Sequence, residues 1–198
     1  MNQAKGTLFI LSGPSGVGKG TLKERLLEEF KDHTAFSVSA TTRAPRPAEI
    51  DGQDYFFIKR PEFEEKIRRN GFLEHAEYAG NLYGTPRAWV ERILQSGRDV
   101  ILEIEVNGAR QVMENTEDPV SVFILPPSVE ELERRLRARG TEAEDKIQKR
   151  LETAQRELRY SDCYQYRIVN DDLDTAYQEL RDIYLRHAGF MKTATTND

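Results

Sequence analysis

Residues 13–21, Gly-Pro-Ser-Gly-Val-Gly-Lys-Gly-Thr, restrict this chain more than any other stretch, because they stand directly behind the apolar run Leu8-Phe9-Ile10-Leu11. After them, Leu22, Leu26, Leu27 and Phe30 recur at helical spacing. A strand, a glycine-rich loop and a helix start, in that order, make a phosphate cradle. The glycines let the main chain curl until several N–H groups aim at one anion. The positive end of the new helix adds to their field, and Lys19 brings a mobile charge to the outer phosphates of a nucleotide. A tight turn with a solvated lysine is the competing reading, and it leaves the flanking strand and helix unexplained.

One position departs from the usual cradle. The residue after the lysine is Gly20 rather than a Ser or Thr that could hold Mg²⁺, and the hydroxyl arrives one place later at Thr21. No side chain of the loop is therefore expected as a metal ligand. Mg²⁺ is expected to rest mainly on phosphates and water, which suits a cation that keeps several waters.

A chain of 198 residues fits one domain, or one core with inserted lobes. Charged residues make up 32% and apolar residues 38%, a soluble profile. No apolar stretch approaches the ~20 residues that span a bilayer, and Met-Asn-Gln-Ala-Lys-Gly has no signal-peptide pattern. These point to a cytoplasmic protein with no membrane partner. The net charge of −5 argues against a nucleic-acid polymer as ligand and leaves small phosphorylated molecules. The single cysteine, Cys163, allows no internal disulfide and reads as a structural or inert thiol. His33, His75 and His187 have no ligand-like spacing and read as surface or structural.

Along the chain, Phe36–Ser39 reads as a short strand and Tyr55–Ile58 as another. Pro61–Asn70 is an amphipathic helix with Phe63 and Ile67 on one face. Phe72–Tyr78 is a strand, with a turn at Gly80-Asn81 before Leu82–Gly84. Beyond Pro86 helices alternate with the buried strands Val100–Leu102, Val120–Leu125 and Tyr166–Val169. Ser128 with Glu131, and Thr141 with Glu144, are capping boxes. Asp172 caps the last helix, and Thr193–Asp198 reads as a polar tail. Apolar strands between helices predict a parallel sheet covered on both faces. The fold class is α/β: a P-loop-type parallel core flanked by helices, with an inserted small mixed α/β lobe and a helical lid. The core takes 1–38, 86–128 and 161–198, the lobe 39–85 and the lid region 129–160.

The inserted lobe holds a second set of ligand groups. Arg43 and Arg46 stand three apart, with Tyr55 and Tyr83 nearby in the sequence pattern. Two guanidinium forks and two phenols make a monophosphate clamp. Ser39 and Glu74 offer acceptors, and Glu103 and Glu105 end a neighbouring strand. A carboxylate facing a flat base selects guanine, whose ring N–H and amino group are adjacent donors. Adenine would leave that acceptor unpaired. Solvated loop charges are the competing reading of each residue taken singly. A third cluster, Arg134, Arg135, Arg137, Arg139, Lys146, Lys149 and Arg150, is largely a solvated surface interleaved with Glu. One or two of its arginines are expected to act on transferring phosphate.

With these motifs together, the chain resembles guanylate kinases over nearly its whole length, from Leu8 to about Tyr184. The specific strings are Gly13 to Lys19, Ser39-Ala-Thr-Thr-Arg43-Ala-Pro-Arg46, Gly52-Gln-Asp-Tyr55-Phe and Phe72-Leu-Glu74-His-Ala. Tyr83-Gly-Thr85, Arg139-Gly-Thr-Glu, Lys149-Arg150-Leu and Val169-Asn170-Asp-Asp complete them. The resemblance implies transfer of the γ-phosphoryl of ATP to GMP, and to dGMP, with Mg²⁺. It implies that Gly13, Pro14, Ser15, Gly16, Val17, Gly18, Lys19, Gly20 and Thr21 bind ATP, with Asn170 near the adenine. Ser39, Glu74, Thr85 and Glu103 would meet guanine, and Arg43, Arg46, Tyr55 and Tyr83 the GMP phosphate. Lys19, Arg43, Arg139 and Arg150 would carry catalysis. Relatives often have Asp where this chain has Glu105, whose contact is to GMP or to metal-bound water. Two alternatives remain: a P-loop kinase for another phosphorylated small molecule such as a ribose bisphosphate, and a non-catalytic peptide-binding module of guanylate kinase-like type.

Overall fold

The computed structural model of the chain describes residues 5–138 and 144–194. Its first strand, β1 (Leu8–Ser12), is buried at every position, as four consecutive apolar residues require. The elements then run α1 (Lys19–Glu29), β2 (Thr34–Phe36), β3 (Ala40–Thr41), β4 (Phe56–Phe57), α2 (Arg60–Arg68), β5 (Phe72–Tyr78) and β6 (Asn81–Pro86). They continue with α3 (Arg87–Gln95), β7 (Asp99–Glu103), α4 (Val106–Asn115), β8 (Val120–Leu125), α5 (Val129–Ala138) and α6 (Glu144–Leu158). A 3₁₀ turn at Ser161–Cys163 precedes β9 (Tyr166–Val169), α7 (Leu173–His187) and α8 (Gly189–Ala194).

Five strands form a wholly parallel sheet in the order β2-β7-β1-β8-β9. Helices must cover both faces of such a sheet, because every strand-to-strand crossover carries one. On one face, Phe9, Leu11 and Ile124 pack with α1, α5, α6 and α7; on the other, Ile10, Leu102 and Phe123 pack with α3 and α4. The second sheet, β4-β3-β6-β5, is mixed and is made only from residues 40–86. Its small core is Ala40, Phe63, Phe72 and Leu82.

The structure corrects several local expectations. The strand expected over Phe36–Ser39 is split: Thr34–Phe36 joins the large sheet beside β7 and Ala40–Thr41 the small one. Residues 37–39 are the crossing between the two, a tertiary event that local patterning does not encode. The hairpin turn lies at Ala79-Gly80, both with positive φ (49° and 77°), and Asn81 pairs with Tyr78. That two-residue geometry matches the twist of its strands. The Ser128 hydroxyl does accept from the Glu131 N–H at 3.1 Å, but the Glu131 carboxylate turns to Arg134 and Arg135 instead of closing the box. Asp172 caps α7 through the Thr175 N–H at 2.9 Å. Thr193 and Ala194 belong to α8 rather than to a tail, and Thr141 lies outside the described residues.

Candidate active site

The loop between β1 and α1 curls as its glycines require. Gly13, Gly16 and Gly18 have φ of 136°, 95° and 93°. At Gly13 a side chain would also run into the Ile124 carbonyl of β8, so only glycine lets the loop leave the sheet there. The Lys19 ammonium folds across the loop and donates to the Gly13 and Pro14 carbonyls at 2.5 and 2.9 Å. Burial pulls its pKa below the ordinary lysine value, with the Glu103 and Glu157 carboxylates opposing that shift. Gly13, Ser15 and Lys19 line one wall of a cleft of about 430 Å³. Glu103, Ile104 and Glu105, at the carboxyl end of β7, form its floor. Lys149, Arg150, Thr153 and Glu157 of α6 close the far side. Arg150 already reaches the loop, donating to Ser15 Oγ at 2.6 Å.

A second cleft, of about 390 Å³, opens onto the small sheet and is lined by Ser39, Tyr55, Glu74 and Tyr83. It shares Ile104 and Glu105 with the first, so the two clefts meet at the end of β7. Glu74 is buried, and Thr85 donates its hydroxyl to Glu74 Oε1 at 2.7 Å. Burial pushes the Glu74 carboxyl above the ordinary carboxylate pKa, the Thr85 hydroxyl opposes this, and Glu105 adds to it. Beside this pocket Arg43 lies 5.5 Å from the Tyr55 ring, and Tyr55 meets Tyr83 edge-on at 6.1 Å. The Arg43 guanidinium is held by Glu49, whose carboxylate also accepts from the Arg46 N–H at 2.7 Å. Glu49, with the Tyr83 hydroxyl, raises the Arg43 pKa above the usual arginine value.

A family model described as guanylate kinase matches residues 5–187. A guanylate kinase of Thermus thermophilus is 53% identical over 176 residues, covering 89% of this chain and 78% of its own. The guanylate kinase of Desulfitobacterium hafniense is 51% identical over 185 residues, 93% of this chain and 92% of its own. The chain belongs to the guanylate kinase family. In three dimensions it is similar to the crystal structure of guanylate kinase from Anaplasma phagocytophilum, with a TM-score of 0.69 and 37% identity over 94% of this chain and 89% of that one.

Lys19, Ser15, Glu105 and Arg150 line the first cleft, and Ser39, Tyr55, Glu74, Tyr83 and Glu105 the second. Glu103, expected at the guanine base, lines the first cleft, where Lys23 pairs with it at 2.9 Å. Thr85 is fully buried and meets the second cleft only through Glu74. Asn170, expected near the adenine, is buried behind the loop and donates its amide to the Val17 carbonyl at 2.7 Å. Thr21 is exposed on α1, and Gly20 has nothing nearer than Glu103 Oε1 at 4.0 Å from where a Cβ would lie. Arg139 lies outside the described residues.

Sequence reading missed Glu49, Glu157 and Lys23. A Glu three residues after Arg46 in a proline-bounded loop is a signal for Glu49, because a clamp of two arginines without a carboxylate would repel itself. Glu157 gave no signal, since it is one of many glutamates on a charged helix. The described basic cluster divides as its composition suggested. Arg134 and Arg135 pair with Glu131, and Arg137 with Glu133 and Glu144, while Lys149 and Arg150 turn into the cleft. Among the described residues, no group of three or more acidic, His or Cys side chains is arranged to hold a metal, and no helix is long and apolar enough to cross a membrane.

Proposed function

We propose that the chain transfers the γ-phosphoryl of ATP to GMP, giving ADP and GDP. The observation that carries this reading is the meeting of two differently built clefts at Ile104 and Glu105. One cleft is made of main-chain curl and an ammonium, the other of a buried carboxylate beside an arginine and two phenols. A triphosphate in the first and a nucleoside monophosphate in the second bring donor and acceptor phosphates together. The segments 1–38, 86–128 and 161–198 are read as the nucleotide-binding core. The lobe 39–85 and the lid 129–160 are read as the parts that close on it.

The loop residues 13–21 and Lys19 seat the β- and γ-phosphates. Arg43 and Arg46, with Tyr55 and Tyr83, seat the GMP phosphate, and Glu74 and Ser39 read the base. Thr85 holds Glu74 Oε1, and the carboxylate is the acceptor for the guanine N–H groups. A GMP phosphate oxygen then attacks the γ-phosphorus in line. No covalent intermediate on the protein is needed, because positioning and charge compensation carry phosphoryl transfer. Lys19 and Arg150, with Arg139, oppose the negative charge that gathers on the transferring group, and the lid helices exclude water. Mg²⁺ bound with ATP would supply charge neutralisation at the phosphates. Gly20 provides no hydroxyl, and Glu103 and Glu105 on the cleft floor are the residues that would hold the hydrated ion.

The test is a coupled assay offering GMP, dGMP, AMP, CMP and ribose bisphosphate as acceptors with ATP and Mg²⁺. GMP and dGMP turn over, and the others are at least ~10²-fold poorer in kcat/KM, an order-of-magnitude expectation for a site whose buried acceptor a wrong base leaves unpaired. Turnover of ribose bisphosphate ahead of GMP, or no turnover at all, would refute the assignment.

A further inference from the structure

Gly108 stands in the first turn of α4 with an ordinary helical backbone, so conformational freedom does not account for a glycine there. Space does. A Cβ at this position would lie 3.1 Å from Glu74 Oε2, 3.5 Å from Cδ and 3.6 Å from Cγ. The carboxylate that faces the base pocket is thus wedged between the Thr85 hydroxyl on one side and the bare Cα of Gly108 on the other.

Helix α4 is not free to back away. Gln111 accepts from the His75 N–H at 3.1 Å and donates to the His75 carbonyl at 3.2 Å, in effect extending β5 by one strand position. Asn115 donates to the Leu73 carbonyl at 3.4 Å. Residues 108, 111 and 115 fall on one face of the helix, and the two amides pin that face to the residues on either side of Glu74. The pairing register of β5 with β6 also shifts between Phe72 and His75, so the strand is irregular where Glu74 leaves it. With helix and strand fixed together, an added methyl group would be accommodated by displacing the carboxylate.

The geometry points to Gly108 as a positioning residue for guanine recognition, setting the direction in which Glu74 presents Oε2. This rests on the assignment of Glu74 to the base and adds a residue that touches no substrate.

The test is steady-state kinetics with ATP and GMP on Gly108→Ala, Glu74→Gln, Glu74→Asp and the double variant Gly108→Ala/Glu74→Asp, with thermal unfolding of each. Alanine is a better helix former than glycine, so a merely structural role would leave the GMP KM alone. The expectation for Gly108→Ala is a GMP KM raised roughly five- to fifty-fold, with the ATP KM and kcat within about twofold of the parent chain. In the Glu74→Asp background, where the carboxylate is one methylene shorter, adding Gly108→Ala changes the GMP KM by less than about twofold.

Three results overturn the inference. Gly108→Ala leaving the GMP KM unchanged while Glu74→Gln raises it is one. An equal rise from Gly108→Ala in both backgrounds is another. Should Gly108→Ala fail to fold, the double variant decides: if it folds, the carboxylate is the obstacle, and if it also fails, the obstacle lies elsewhere. A Glu74→Gln chain with a normal GMP KM would refute the base assignment itself, a result distinct from the others.

Discussion

Both oxygens of the Glu49 carboxylate accept from the Arg43 guanidinium, at 3.0 and 2.7 Å. The pair is half-buried beside Tyr55 and Phe57, so the fork of Arg43 is held in one plane before any phosphate arrives. Bidentate pairing fixes direction as well as charge. Arg43→Ala removes both the charge and the plane. Its GMP kcat/KM is expected to fall about 10- to 10²-fold, on the scale of hydrogen bonds to a charged group. Glu49→Gln keeps the arginine and loses only its orientation, so the GMP KM should rise about tenfold with the ATP KM unmoved. Initial rates over a grid of both substrates measure this. A Glu49→Gln chain with unaltered GMP kinetics would remove Glu49 from the clamp.

Lys19 presents the opposite case, a cation bonded only to loop carbonyls among its described contacts at 2.5 and 2.9 Å. Those bonds are modest in folding, and the charge matters only against phosphate. Lys19→Ala is therefore expected to lower kcat by about 10²- to 10³-fold, the scale of a deleted transition-state donor. The unfolding temperature should stay within about 4 °C, as for a change below 1 kcal/mol. Stopped-flow turnover and calorimetry on one preparation give both numbers. Near-normal turnover would remove Lys19 from the chemistry.

Much of this is readable in the chain itself, for identifiable reasons. Leu8–Leu11 and Val120–Leu125 are apolar runs too short for helices, and both are central parallel strands. The phosphate loop is legible because Gly13, Gly16 and Gly18 have conformational demands that are local. What is not legible depends on distant pairings. Ser37 to Ser39 reads as a strand and is a bridge between sheets, since only the positions of β7 and β6 decide where the ladder stops. Glu103 and Glu105 are two apart, and the motif resemblance sets Glu103 at guanine and Glu105 at GMP or metal-bound water. The Lys23 partner on α1, which pairs with Glu103 in the first cleft, is a contact between distant elements that no local pattern encodes. The resemblance places Asn170 near the adenine, and the bond from its amide to the Val17 carbonyl is not legible in that motif. Gly108 carries no motif of its own, because its significance lies in a carboxylate thirty-four positions earlier in the chain.

At the other end of the sheet, Asp99 is fully buried and accepts from the Thr7 N–H at 2.6 Å, the Gly189 N–H at 2.9 Å and the Tyr184 hydroxyl at 2.9 Å. It joins the chain's first strand region to its last two helices. Asp99→Ala strands three buried donors and is expected to destabilise the fold by about 2–4 kcal/mol. For a chain of this size that corresponds to a drop of roughly 5–12 °C in unfolding temperature. Asp99 is remote from both clefts, so kcat and both KM values at 20–25 °C should stay within about twofold. Thermal unfolding with kinetics at low temperature separates the two, and an unchanged melting point would show that water replaces the carboxylate.

Burial raises the Glu74 pKa above its ordinary value of 4.5, and the consequences for folding and for binding have opposite signs. The folded chain holds this proton at pH values where the unfolded chain has released it. The group's contribution to stability is therefore fully present below the ordinary carboxylate range and is lost as pH rises through the raised value. Guanine needs the ionised form, because the base offers donors and a protonated carboxyl presents one of its own. The GMP KM of the parent chain should thus rise as pH falls toward the raised pKa. The GMP phosphate also titrates, near pH 6, so the informative quantity is the ratio of GMP KM between Glu74→Gln and the parent. At pH 8 that ratio should be about 10- to 100-fold, since an amide sets a donor against a donor. It should shrink as pH falls toward the raised pKa and the parent loses its own carboxylate, while the phosphate's titration cancels. A ratio that stays flat across the range would show that Glu74 does not change charge there, and a ratio of one at every pH would show that it does not face the base.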